Sequence, residues 1–242
     1  MSTLSKHSTT TDETHSKIEI AGDSNEFIIM GGQKFLRHEL MGAMTMNNPT
    51  NKFANPGPLG LCAFGISTFV LCLINAQASG VTTPNLAVGL AVFYGGTVQF
   101  LAGVWEFFVG NTFGFVALVS YGSFWLSWAA IYIPGFGVQA AYAEDPEQLK
   151  QAAGLFLTGF AIFTFMLMIL TIRTNVAFFA LFFCLFMTFV LLAAGDFTLN
   201  VGITRAGGVF GVITALIAFY NAFAGVATKQ NSYFGAKTFK LP

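Results

Sequence analysis

The chain has 242 residues, of which 55% are hydrophobic, 16% aromatic and only 9% charged, with 29 Phe and 26 Gly. That is more apolar side chain than one soluble globule can bury, so composition excludes an ordinary soluble domain and points to an integral membrane protein. The eleven Lys and Arg balance the eleven Asp and Glu, and without a basic block the sequence offers nothing to a nucleic acid.

In chain order, Met1 to Glu26 is rich in Ser, Thr and charge, has no apolar core of a signal peptide, and is expected to be disordered. From Lys34 to Met46, the four-residue spacing of Leu36, Leu40 and Met44 beside Lys34, Arg37 and Glu39 predicts a short amphipathic helix in the headgroup layer. His7, His15 and His38 all precede the membrane part, so no intramembrane metal or proton site can be built on histidine.

The stretch Asn55-Pro56-Gly57-Pro58-Leu59-Gly60-Leu61 opens the membrane part. Two prolines within three residues remove two N–H donors, which suits the first turn of a helix and is costly inside one, so a helix begins here with Asn55 as its cap. Gly57 and Gly60 leave its start without bulk, open to the close approach of another helix or a small solute.

Six runs follow that are long enough for a hydrocarbon core needing about 20 residues: Leu59 to Ala76, Leu86 to Val109, Phe113 to Ile133, Ala152 to Ile172, Val176 to Ala194, and Gly207 to Ala227. Thr83 with Pro84 predicts the start of the second. The long third connection, Pro134 to Gln151, carries Glu144, Asp145 and Glu147. Residues 1–54 and 228–242 are then the tails of a domain over 55–227. Lys34, Arg37, Lys52, Arg173, Lys229, Lys237 and Lys240 lie on the side of the termini, against Lys150 and Arg205 on the other, so both tails are expected in the cytoplasm. The fold class is all-α, six transmembrane helices in three pseudo-repeated pairs.

The odd-numbered helices share a feature: each follows an asparagine, Asn55, Asn111 or Asn175. Phe64 lies nine residues beyond the first, and Tyr121 and Leu185 each lie ten beyond theirs. At about 1.5 Å per residue that is roughly 15 Å, half of a core about 30 Å thick. If the odd helices face a local axis, these three side chains close an apolar neck that small dehydrated solutes can pass and hydrated ions cannot; any membrane core rich in Phe and Leu would also place bulky residues at this depth. Three helix N-termini at one mouth would favour an anion, a carboxylate being the simplest.

Glu106 is the one acidic residue well inside a run, with Gln99 two turns before it on nearly the same face. Two readings stand: a proton carrier, or a group at its helix end paired with Arg173 or the backbone. Ser67, Thr68, Ser120, Ser123 and Ser127 can each back-bond within their helices. Cys62, Cys72 and Cys184 lie inside apolar runs and read as small hydrophobes. Trp105, Trp125, Trp128 and Tyr132 read as interfacial anchors, and the paired small residues, such as Gly207-Gly208, read as close helix contacts within or between subunits. No nucleophile with a base and no metal-ligand set is found, so neither an enzyme, a metal nor a cofactor is expected.

Asn55 to Leu61 resembles the signature of the acetate uptake transporter family, in which Ala usually stands where this chain has Gly57. Phe93-Tyr94-Gly95-Gly96 with Gln99, then Glu106, Gly110-Asn111-Thr112-Phe113-Gly114 and Ser120-Tyr121-Gly122-Ser123-Phe124-Trp125 extend the likeness, and the polar N-terminal tail resembles the fungal branch. The resemblance implies a homohexamer in the plasma membrane with a solute path through each subunit. It also implies a constriction at Phe64, Tyr121 and Leu185 and a polar path at Gln99, Glu106, Asn111 and Thr112. The implied function is passage of acetate and similar short monocarboxylates, proton-coupled or channel-like; ammonium or ammonia release and acetic-acid sensing are the alternatives.

Overall fold

A computed structural model describes residues 19–21, 26–30, 33–36, 53–228 and 230–235. The chain divides into two units, Met1–Ala54 and Asn55–Pro242.

The first unit holds a three-stranded antiparallel sheet of β1 (Glu19–Ala21), β2 (Phe27–Met30) and β3 (Gln33–Leu36). Glu19 pairs with Ile29, Phe27 with Leu36, and Met30 with Gln33 across two glycines, the composition that short hairpin connections favour. This corrects two expectations. Glu19–Ala21 is extended and paired, not disordered, and Lys34 and Leu36 lie in a strand rather than in an amphipathic helix. The spacing of Leu36, Leu40 and Met44 overlooked the β-rich run Phe27-Ile28-Ile29-Met30, which supplies β3 with a partner. The rest of the expected helix, 37–46, lies outside the described residues.

The second unit contains six helices long and apolar enough to cross a membrane: α1 (Gly57–Asn75), α2 (Leu86–Phe108), α3 (Thr112–Tyr132), α4 (Pro146–Leu170), α5 (Val176–Thr198) and α6 (Val201–Val226). Several begin earlier than their apolar runs, because a helix continues outward until a side chain caps it. Asp145 Oδ1 accepts from Gln148 N at 3.0 Å with Pro146 at the first position, so α4 absorbs six residues expected in the third connection. Asn200 accepts from Gly202 N and Ile203 N at 2.8 and 3.3 Å and starts α6 ahead of Gly207. Thr83 is not the cap of α2; that position falls to Asn85, and Pro84 precedes it.

Backbone packing runs in the order α4, α5, α6, α1, α2, α3, and small residues set how closely those neighbours approach. A Cβ on Gly122 would lie 2.8 Å from Phe100 N, and one on Gly208 would lie 2.5 Å from Ala76 N, so α2 touches α3 and α6 touches α1 at backbone distance. Between α3 and the α4–α5 pair, aromatic rings do the packing. Phe124 meets Phe156, Phe160 and Phe189 with centroids 5.4, 4.8 and 5.3 Å away. The six helices therefore form a ring that is close-packed on one side and spaced by rings on the other, leaving room along its axis.

α2 departs from regular geometry. Residues Phe93–Val98 form a π-helical segment, and Thr97 Oγ1 donates to Val92 O, five residues back, at 2.8 Å. The extra residue per turn brings Gly95 and Gly96 against α1 and α3: a Cβ on Gly95 would lie 3.0 Å from Trp125 Cδ1.

Candidate functional site: two cavities and a shared apolar neck

Two cavities enter the bundle from opposite ends. The first, about 230 Å³, lies among the N-termini of α1, α3 and α5, with Asn55, Gly57, Pro58, Leu61, Gln99, Glu106, Asn111 and Asn221 in its wall. The second, about 530 Å³, opens at the other end among Gln77, Gln139, Lys150, Asp196 and Thr204. Phe64, Tyr121 and Leu185 line both. They are only 5%, 4% and 2% exposed, so these side chains are packed where the two cavities meet.

Each of the three comes from a different odd-numbered helix, Phe64 from α1, Tyr121 from α3 and Leu185 from α5. Phe64 and Tyr121 face each other with centroids 5.9 Å apart. The Tyr121 hydroxyl shares a 2.8 Å hydrogen bond with Thr164 Oγ1 of α4, satisfying a polar group that would otherwise be stranded in an apolar layer. Rings of Phe163, Phe182 and Phe189 stand around Tyr121 at 5.5, 6.4 and 6.5 Å. The layer where the cavities meet is thus apolar, with one anchored hydroxyl.

The first cavity becomes polar toward its mouth. Glu106, 3% exposed, is hydrogen-bonded by the Asn111 side chain, and a Cβ on Gly57 would sit 3.0 Å from Glu106 Oε1. Its partner is therefore Asn111 rather than Arg173; among the described residues no ion pair joins Glu106 to Arg173. Gln99 is fully buried in the same wall, with neither amide atom hydrogen-bonded among the described residues. Thr112, the first residue of α3, is exposed and outside the lining.

The three helix-start asparagines divide. Asn111 Oδ1 accepts from Gly114 N at 3.0 Å and Asn55 Oδ1 from Gly57 N at 3.1 Å, although the N-cap position of α1 is Pro56. Both also line the first cavity. Asn175 caps α5 by accepting from Phe178 N at 2.8 Å but takes no part in the lining. Capping by Asn is not confined to the odd helices either, since Asn200 caps α6. In the signature, Leu61 faces the cavity, Leu59 is exposed on the outside of the bundle, and Gly60 gives room to Leu118, whose Cδ1 would lie 2.5 Å from an added Cβ.

Sequence reading missed Asn221, which lines the first cavity and donates to Ile217 O at 2.9 Å. Its signal was present: it is the lone amide in the sixth apolar run, where a polar group in lipid calls for explanation. The second cavity was not foreseen. Its rim pairs Lys150 Nζ with Asp196 Oδ1 at 3.1 Å and Arg205 Nε with Gln77 Oε1 at 2.9 Å, partners far apart in the chain. Trp125 and Trp128, read as interfacial anchors, are 3% and 9% exposed and line this cavity, because they lie on the face of α3 turned into the bundle.

Residues 39–242 match the GPR1/FUN34/yaaH family. Ammonia transport outward protein 2 of Saccharomyces cerevisiae is 53% identical over 98% of this chain and 86% of its own length. Acetate permease A of Emericella nidulans is 47% identical over 76% of this chain and 65% of its own. The structure of the bacterial acetate channel SatP superposes with a TM-score of 0.68 at 34% identity, covering 77% of this chain and all of that one. With residues 39–242 matched and a solved relative superposing over 77% of its length, the chain belongs to the GPR1/FUN34/yaaH family.

Proposed function

We propose that this protein carries acetate and similarly short monocarboxylates across the plasma membrane, one path per subunit, through the two cavities and the neck between them. The observation that carries the reading is that Phe64, Tyr121 and Leu185 line both cavities. A solute entering from either end meets the same three apolar side chains, which pass a small molecule able to shed its water and resist hydrated ions. The names of Acetate permease A and the acetate channel SatP support acetate as that solute.

In this reading the mouth at Asn55 and Asn111 faces the cytoplasm, and Gln99, Glu106 and Asn111 form the polar path to the neck. Glu106, buried and held by Asn111, is placed to take or give a proton as the solute passes. The protein works as a homo-oligomer, a hexamer by likeness to its family, with lipid around the assembly. Uptake of radiolabelled acetate into liposomes containing only this protein, above that of empty liposomes, is the expected result. Absence of uptake by correctly assembled protein overturns the reading.

A second reading, outward passage of ammonia, is favoured by the name of the 53% identical yeast relative and by the rings at the neck, whose faces attract a cation before it gives up a proton. Competition between acetate and ammonium in the same liposomes separates the two.

A further inference from the structure

Thr164 lies in the second half of α4, is fully buried, and lines neither cavity. A hydroxyl in an apolar helix ordinarily bonds to the carbonyl four residues back. Ser123, Thr158, Thr188, Thr198 and Thr214 all do so, at 2.6 to 2.9 Å. Thr164 instead meets the hydroxyl of Tyr121 on another helix, at 2.8 Å. Among the described residues this is the only hydrogen bond that joins α3 to α4.

The seam it crosses is built differently from its neighbours. α2 and α3 approach to backbone distance at Gly103 and Gly122. Between α3 and α4 the contact is made by rings: Phe124 with Phe156 and Phe160, and Tyr121 with Phe163, at centroid distances of 4.8 to 5.5 Å. Aromatic pairs accept offset-stacked and edge-on geometries alike. Tyr121 shows this tolerance, edge-on to Phe163 at 67° and stacked on Phe189 at 10°. Ring packing therefore leaves the direction of the Tyr121 ring open, and a hydrogen bond, which is directional, sets it. Both residues are buried, so a ring turned away from Thr164 strands two polar groups in apolar surroundings. Of the three side chains that line both cavities, Phe64 and Leu185 carry no polar atom and are held by packing alone.

We infer that Thr164 is a positioning residue that sets the size of solute admitted at the proposed neck. Its hydroxyl pins the Tyr121 ring where the two cavities meet, as a wall that does not yield to a solute larger than acetate. The inference rests on the proposed passage of a small monocarboxylate and deepens it, since part of the size selection moves to a residue outside both cavity linings.

The test is the ratio of lactate to acetate uptake by full-length protein in liposomes, lactate being larger by one carbon and one hydroxyl. Thr164→Val keeps the shape and removes the hydroxyl, and should raise the ratio about fivefold, the factor that corresponds to one ordinary hydrogen bond. Thr164→Ser keeps the hydroxyl and should keep the ratio of the unaltered protein. Tyr121→Phe breaks the same bond from the other side and should raise the ratio by a similar factor. The double variant should then go no further than either single one, because both remove one interaction. Damage to fold or assembly alone lowers both uptakes together and leaves their ratio in place. If Thr164→Val does not assemble, Tyr121→Phe beside the unaltered protein makes the comparison. An unchanged ratio in assembled Thr164→Val or Tyr121→Phe, an equal rise in Thr164→Ser, or additive rises in the double variant overturn the role of Thr164 and leave the transporter. Absence of acetate uptake by the unaltered protein overturns the transporter and this role with it.

Discussion

The Tyr121 ring lines both cavities while its hydroxyl reaches Thr164 Oγ1 at 2.8 Å, so a residue of the proposed neck is tied to a neighbouring helix. Tyr121→Phe removes that bond and leaves Thr164, which is fully buried, without it. The expected cost is about 1–3 kcal/mol, read as a lower unfolding temperature of purified protein, with passage of small acids retained because the ring remains. Glu106 poses a different question, since its partner Asn111 is neutral. Glu106→Gln keeps the hydrogen-bonding shape and removes the proton site, so acetate uptake should persist but lose its response to an inward proton gradient. A response equal to that of the unaltered protein would take Glu106 out of the coupling. At this scale the sequence was readable where regular rise carries depth. Phe64, Tyr121 and Leu185 could be singled out by counting from Asn55, Asn111 and Asn175, and they line both cavities, whereas Thr68 and Trp125 could not be told from ordinary back-bonding and anchoring residues, because their lack of partners among the described residues shows only in three dimensions.

Among the elements, α2 and α3 depend on each other through glycine. A Cβ on Gly122 would stand 2.8 Å from Phe100 N and one on Gly103 2.6 Å from Val119 N, both backbone atoms that cannot step aside. Gly122→Val should force the helices apart at a cost of about 1–3 kcal/mol or more, seen as loss of monodisperse protein on extraction. Gly159 has nothing near its Cβ position, and Gly159→Ala should extract normally. Apolar length was enough to find all six helices, but not their ends. Those were set by Asp145 and Asn200, polar residues outside the apolar runs, whose capping bonds carry α4 and α6 outward. The π-helical segment of α2 left no mark in hydropathy, because a change of winding does not change composition.

For the molecule as a whole, the organising feature is a bundle of six helices in which one side chain from each of three helices, Phe64, Tyr121 and Leu185, lines both cavities. The first 54 residues form a separate unit, and protein beginning at Phe53 should retain acetate uptake in liposomes. The second cavity lay beyond sequence reading, since its rim joins Gln77 to Arg205 and Lys150 to Asp196, pairs that the packing of α1 on α6 and of α4 on α5 brings together. The most direct test of the proposed neck is the ratio of lactate to acetate uptake in liposomes containing Leu185→Ala, beside the unaltered protein. Leu185 is 2% exposed and lines both cavities, so truncation to Ala widens the neck and should raise the ratio by about tenfold or more. An unchanged ratio in folded, assembled Leu185→Ala protein would contradict the neck as the place where the solute is chosen.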